Sequence, residues 1–137
     1  MELAGVFKTS ASALEAQRQR MNIVASNLAN VHTTRTEDGG PYKRRDIAFQ
    51  VAPMDTDPNS LNNGVKVSEI VEDQTPPTLI YDPTHPDANP QGYVAMPNVN
   101  VIEEMVNMMM ASRAYEANVS AFNISKGMYL KTLEIGK

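Results

Sequence analysis

The sequence predicts a mainly α protein with a small β insert. Long N- and C-terminal helices pair as a coiled coil, with short antiparallel strands and Pro-rich loops between them. Two stretches whose apolar residues are spaced alternately four and three apart predict the helices, because that spacing keeps one seam turned toward a partner. The third observation is the crowding of proline: six of the nine fall between Pro76 and Pro97, where no long helix can form. Three segments follow, residues 1–31 as an N-terminal helix, 32–98 as a small β and loop domain, and 99–137 as a C-terminal coiled-coil helix.

The first seam runs Leu3, Phe7, Ser10, Leu14, Gln17, Met21, Val24, Leu28 and Val31, with Ser10 and Gln17 its only polar members. No proline interrupts it, and Gly5 lies near the start, where fraying costs little. Asn30 suits the left-handed residue that closes many helices. Asn27 falls at a packing surface, where an amide can bond across chains and set register as a seam Asn does. Register is the reading favoured for Asn27 over simple exposure, and for Asn118 the choice stays open.

The second seam runs Val101, Met105, Met108, Ser112, Tyr115, Val119, Phe122, Lys126, Tyr129 and Leu133. Asn98 or Asn100 can cap its start, Glu103 and Glu104 complement the positive end of the dipole, and Gly136 follows the last seam residue. At 1.5 Å per residue this helix is about 50 Å long. Further apolar residues flank the seam, among them Ile102, Val106, Met109, Met110, Ile124 and Leu130, and so broad a stripe needs more than one neighbour. The flexible run Met108-Met109-Met110 suits either packing against non-identical partners or filling an intramolecular core. On either reading the chain is incomplete alone, and stacking copies by a screw operation would cover the remainder.

In the insert, Ile47, Phe49 and Val51 alternate with polar neighbours, as do Val65, Val67 and Val71 in part, which predicts two short strands. Asn63-Gly64 before the second strand predicts a tight turn. Leu79-Ile80-Tyr81 and Tyr93-Val94-Ala95-Met96 are two further strand candidates.

Composition and motifs exclude several functions. Twelve Lys and Arg against sixteen Asp and Glu give a net charge of −4, which argues against nucleic acid as a partner. Cysteine is absent, removing disulfides, thiolate nucleophiles and Cys-based zinc sites. No stretch approaches the roughly 20 apolar residues of a membrane span. No basic n-region precedes an apolar run, so export without a cleaved signal peptide is the expectation if the chain leaves the cytoplasm.

His32 and His85 stand far apart with no ligand spacing around either, and loop or cap hydrogen bonding is their expected role. Asp57, Asp82 and Asp87 sit beside prolines and read as turn formers. No G-x-S-x-G, phosphate loop or G-x-G-x-x-G occurs. The chain is therefore not expected to be an enzyme, and no catalytic, cofactor or metal site is expected. The basic run Lys43-Arg44-Arg45 is either an inter-subunit contact with an acidic surface or a solvated charge run.

Ser10-Ala11-Ser12-Ala13-Leu14, with Ala25-Ser26-Asn27-Leu28-Ala29-Asn30-Val31, resembles the signature of bacterial flagellar rod and hook proteins. The stretch from Thr33 to Arg45 (TTRTEDGGPYKRR) is similar to the narrower family of basal-body proximal rod proteins of FlgC type. So are Tyr81-Asp82-Pro83-Thr84-His85-Pro86-Asp87-Ala88, Pro97-Asn98-Val99-Asn100-Val101 and Ala111-Ser112-Arg113-Ala114-Tyr115-Glu116-Ala117-Asn118. These motifs span the chain in order.

The resemblance implies export through the flagellar type III apparatus and polymerisation with copies of itself and sister rod proteins. The product would be an axial shaft that crosses the periplasm, carries torque from motor to hook and is required for motility. It also implies a coiled-coil inner layer of terminal helices and an outer middle domain. Two other classes compete with it. One is a helical hairpin that chaperones a partner through its Met-rich stripe. The other is a membrane-surface N-terminal helix, for which Lys8, Arg18 and Arg20 supply too few basic residues.

Overall fold

A computed structural model describes residues 3–54 and 63–136, with the backbone alone of Leu3. In chain order it contains α1 (Leu3–Ala29), β1 (Arg45–Pro53), β2 (Asn63–Glu72), β3 (Thr78–Tyr81), β4 (Tyr93–Met96) and α2 (Val101–Ile135). The fold is mainly α with a small β insert, as the sequence predicts, but the insert is two separate antiparallel hairpins, β1-β2 and β3-β4. The turn-forming role expected of Asp57 lies outside the described residues.

The two helices pack against each other in opposite directions. Asn27, near the end of α1, bonds Glu104 in the first turn of α2. At the other end Phe7 of α1 meets Phe122, with ring centroids 5.1 Å apart, and Tyr129 edge-on at 6.4 Å. With 27 and 35 residues the helices are about 40 and 52 Å long, so the last turns of α2 run past α1.

Helix α2 starts where Asn100 Oδ1 accepts the backbone N–H groups of Ile102 and Glu103. Helix α1 ends two residues before the predicted limit. Among the described residues no non-glycine has positive φ, so Asn30 does not take the left-handed conformation expected of it. It closes the helix with its side chain instead, Nδ2 donating to Ser26 O at 2.9 Å and Oδ1 accepting from Thr33 Oγ1 at 3.1 Å.

The β1-β2 hairpin lies lengthwise along α1. Its Arg45 end is bonded to Asn27, and its Asn63 end receives the Thr9 hydroxyl, while Ser12 Oγ accepts the N–H of Val65. The lengths agree: the nine residues of β1 and the helical rise from Thr9 to Asn27 both come to about 27–30 Å. In register, Ile47 faces Ile70, Phe49 faces Val67 and Val51 faces Val65, with a bulge that leaves Ser68 as the extra residue.

Asn63-Gly64 does not form the predicted turn: both residues open β2, opposite Pro53 and Ala52. Glycine is required there for close approach. A Cβ on Gly64 would stand 2.6 Å from Ser12 Oγ and overlap the Met54 methyl. Ser12 cannot swing aside freely, since its hydroxyl also donates to Thr9 O at 2.7 Å. Gly64→Ala is expected to destabilise the chain by about 1–3 kcal/mol, read as a lower urea midpoint with an unchanged slope.

The β3-β4 hairpin is held by Tyr81 against Tyr93, centroids 5.3 Å apart, and Gly92 turns beneath the Tyr81 ring with φ +86°. Asp82 forms the expected turn, its Oδ1 accepting from Thr84 N and Oγ1. Asp87 instead ties two loops together through Thr34 and Arg35. Helix α1 thus lies between the β1-β2 hairpin and α2, whereas α2 has α1 as its one neighbour among the described elements.

Candidate functional site: a polar clamp and an uncovered helix face

The residue types at the most buried points are unusual for so small a chain. Few apolar side chains are buried, Val24 and Val94 among them, while Asn27 and Glu104 are completely enclosed. Asn27 uses its whole amide. Oδ1 accepts from Arg45 N at 3.0 Å and Tyr42 Oη at 2.9 Å, and Nδ2 donates to Arg45 O at 2.8 Å and Glu104 Oε2 at 3.0 Å. Enclosed polar atoms are tolerable only when paired in this way.

The other carboxylate oxygen of Glu104 accepts Nε of Arg44 at 2.6 Å, and the Arg44 side chain is only 16% exposed. Burial alone lowers the pKa of the guanidinium, but the hydrogen bond and charge of Glu104, then those of Asp46, outweigh it and leave it raised. Arg44 N also donates to Asn98 Oδ1, whose amide donates to the carbonyls of Asp73 and Thr75. One cluster therefore fixes the end of α1, the entry to β1, the exit of β2 and the start of α2.

The structure places the residues of the basic run differently. Arg44 is turned into the chain, bonded to Glu104. Lys43 and Arg45 stay outward, Arg45 over the Tyr42 ring at 5.8 Å and within 3.6 Å of Glu72. The amide of Asn27 is likewise fully engaged within the chain. Glu104 stands in the first turn, as its dipole role predicts, yet its main partners come from far along the sequence. The signal that would have exposed it is its position three residues after Val101 and four before Met108, a charge set within the apolar arc. Tyr42 and Asn98 carry no such signal.

The seam residues divide unevenly. On α1, Val24 is buried and Phe7, Leu14, Met21 and Leu28 are half-buried; Val31, half-buried, falls in the turn beyond the helix. The seam position Leu3 has no described side chain. Gln17 is also turned inward, and its Oε1 is buried without a hydrogen-bond partner among the described residues, a group that costs about 1–3 kcal/mol. On α2, Met108, Tyr115, Val119 and Phe122 are half-buried, whereas Val101, Met105, Tyr129 and Leu133 are exposed. The most enclosed points of α2 are Glu104 and Ala111, so its covered face is rotated from the predicted seam at the N-terminal end.

The opposite side of α2 is bare. Ile102, Met105, Val106, Met109 and Met110 form one exposed apolar patch, and Ile124, Met128 and Ile135 a second toward the C-terminal end, while Leu130 and Leu133, nearer the seam side, are exposed where α2 runs past α1. An apolar face of this breadth on a protein surface marks an interaction site. Among the described residues no helix is long and apolar enough to cross a membrane.

The loop tether at Asp87 responds to acid. Its carboxylate accepts the Thr34 hydroxyl at 2.7 Å. That bond, opposed slightly by burial and helped by the charge of Arg35, lowers its pKa from the ordinary 3.8. A lowered folded value means the stabilisation is complete above the ordinary value and is lost as pH falls through the lower one. NMR shifts of Thr34 and Asp87 are expected to stay constant down to about pH 5 and to titrate with a midpoint below the usual Asp range. A midpoint at or above that range would remove the tether from the account.

A chain with a buried clamp at one end of a helix pair and a bare apolar helix face has the build of an assembly subunit, and two family models say which class. The model described as flagella basal body rod protein matches residues 7–35, and that of the flagellar basal body rod FlgEFG protein C-terminal region matches residues 91–135. The full-length relatives are narrower. The flagellar basal-body rod proteins FlgC of Escherichia coli O157:H7 and Salmonella typhimurium are each 47% identical over 137 residues, covering all of both chains. That of Bacillus subtilis is 48% identical over 144 aligned positions, covering 96% of each chain. The chain belongs to the FlgC family of flagellar basal-body rod proteins.

Proposed function

We propose that this protein is a structural subunit of the flagellar basal-body rod, joining copies of itself and sister rod proteins in the proximal part of the axial shaft. Full-length identity to rod proteins supports the class. The observation that carries the mechanism is that, among the described elements, α2 has a single neighbour and leaves two apolar patches bare, one near each end. Burial of those patches against neighbouring helices would extend the α1-α2 pair into a coiled-coil layer, each apolar Å² removed from water contributing about 25 cal/mol. The clamp would hold the β1-β2 hairpin in a fixed direction against that layer, so that torque passes through a rigid unit rather than a hinge. Export by the flagellar type III apparatus and a place in the periplasm belong to the same reading.

Electron microscopy of envelopes from cells lacking the gene tests it. Membrane rings without rod, hook or filament are the expected result, restored by the intact gene. Complete flagella in those cells would overturn the assignment and favour a helical-hairpin binding module.

A further inference from the structure

Sulfur in this chain is confined to methionine: nine residues, with no cysteine. Five of them, Met105, Met108, Met109, Met110 and Met128, lie on α2. Four of these are more than half exposed, at 55% for Met105, 56% for Met109 and Met110, and 64% for Met128. By contrast Met21, Met54, Met96 and Met108 are half-buried. Met105, Met109 and Met110 share one patch with Ile102 and Val106, so the groups that make this face apolar are largely thioethers. A thioether differs from Leu or Ile in one chemical respect that matters here: its sulfur lone pair is open to oxidation.

We infer that Met105, Met109 and Met110 form a reversible oxidation site, which peroxide converts from an assembly-competent apolar face into a polar one while the subunit is unassembled. The sulfur attacks one oxygen of hydrogen peroxide, an S–O bond forms and the O–O bond breaks. Sulfur is oxidised by two electrons. The departing oxygen takes up the proton of the transferred one and leaves as water, giving the sulfoxide. The sulfoxide oxygen is a strong acceptor that water solvates while the face is exposed. Packing it against an apolar neighbour leaves it unsatisfied, and association is disfavoured. Once buried by neighbours, the same sulfurs are shielded. The site therefore discriminates between free and assembled subunits, and the inference rests on the rod reading above.

The test treats the purified full chain with hydrogen peroxide and maps the added oxygen by peptide mass spectrometry. Circular dichroism checks that helicity is retained. Met105, Met109, Met110 and Met128 are expected to oxidise before the four half-buried methionines. Co-sedimentation with the other purified rod proteins is expected to fall by about tenfold or more after oxidation and to recover after treatment with both methionine sulfoxide reductases. A Met105→Leu/Met109→Leu/Met110→Leu chain is expected to co-assemble equally with and without peroxide.

Oxidised wild-type chain that co-assembles as well as untreated chain overturns the inference and leaves the rod reading intact. A triple-Leu chain that still loses assembly in peroxide also overturns it, by placing the sensitive group elsewhere. Untreated chain that fails to co-assemble overturns the rod reading, and the inference falls with it.

Discussion

Glu104→Ala is expected to cost the folded chain about 3–5 kcal/mol, because it removes the enclosed carboxylate at 2.6 Å from Arg44 Nε, leaves that mostly buried guanidinium with the exposed Asp46 at 3.2 Å, and takes an acceptor from Asn27. Folded domains are stable by only about 5–15 kcal/mol in total, so the variant should be partly unfolded at ambient temperature. Glu104→Gln keeps an oxygen for Asn27 but loses the ionic bond to Arg44, and about 1–2 kcal/mol is the expected loss. Arg44→Met alone strands the enclosed carboxylate and should be as damaging as Glu104→Ala. The double change Arg44→Met/Glu104→Leu removes both charges and fills the space with carbon, so it should cost clearly less than the sum of the single changes.

A double-mutant cycle on urea unfolding measures that difference. A coupling below about 0.5 kcal/mol would show that the ion pair adds nothing beyond packing. Hydrogen exchange at Arg45 N–H, which is bonded to Asn27, should quicken with Glu104→Ala before exchange in the middle of α2 does.

The clamp also shows what a single sequence discloses and what it hides. Helix and strand positions were legible because they depend on local spacing: the four-three seams mark α1 and α2, and the alternation at Ile47, Phe49 and Val51 marks β1. Asn100 was readable as one of two cap candidates, with Asn98, for the same reason, since the N–H groups its Oδ1 accepts lie two and three residues on. Glu104 and Arg44 are sixty positions apart, and nothing in their immediate sequence announces the pairing.

Apolar spacing was also a poor guide to which side of α2 is covered. The helix is hydrophobic over most of its circumference, and its most enclosed positions, Glu104 and Ala111, are charged and small. Asn63-Gly64 misled for a related reason. Glycine serves turns and close contacts alike, and only the approach of Ser12 from α1 decides between them.

Met109→Glu should give the opposite pattern from Glu104→Ala: an unchanged fold and no rod. Met109 is 56% exposed on a helix face with no neighbour among the described elements, so a glutamate there is hydrated in the free chain and should shift its stability by no more than about 0.5 kcal/mol. In the rod reading the same position is covered by an apolar neighbour. The carboxylate then loses its water without gaining a partner, at several kcal/mol per copy. Repeated across the subunits of a shaft, that penalty should abolish assembly and motility.

Met109→Leu keeps the apolar area and should preserve both, while Glu116→Gln, on an exposed polar part of the same helix, serves as the control for charge change alone. The measurement is a pairing of two readouts for each variant, urea midpoint of the purified chain and rod formation seen by electron microscopy of envelopes. A Met109→Glu strain with normal rods would mean that this face of α2 stays in solvent after assembly. The subunit contacts would then have to be sought on the second apolar patch, around Ile124, Met128 and Ile135.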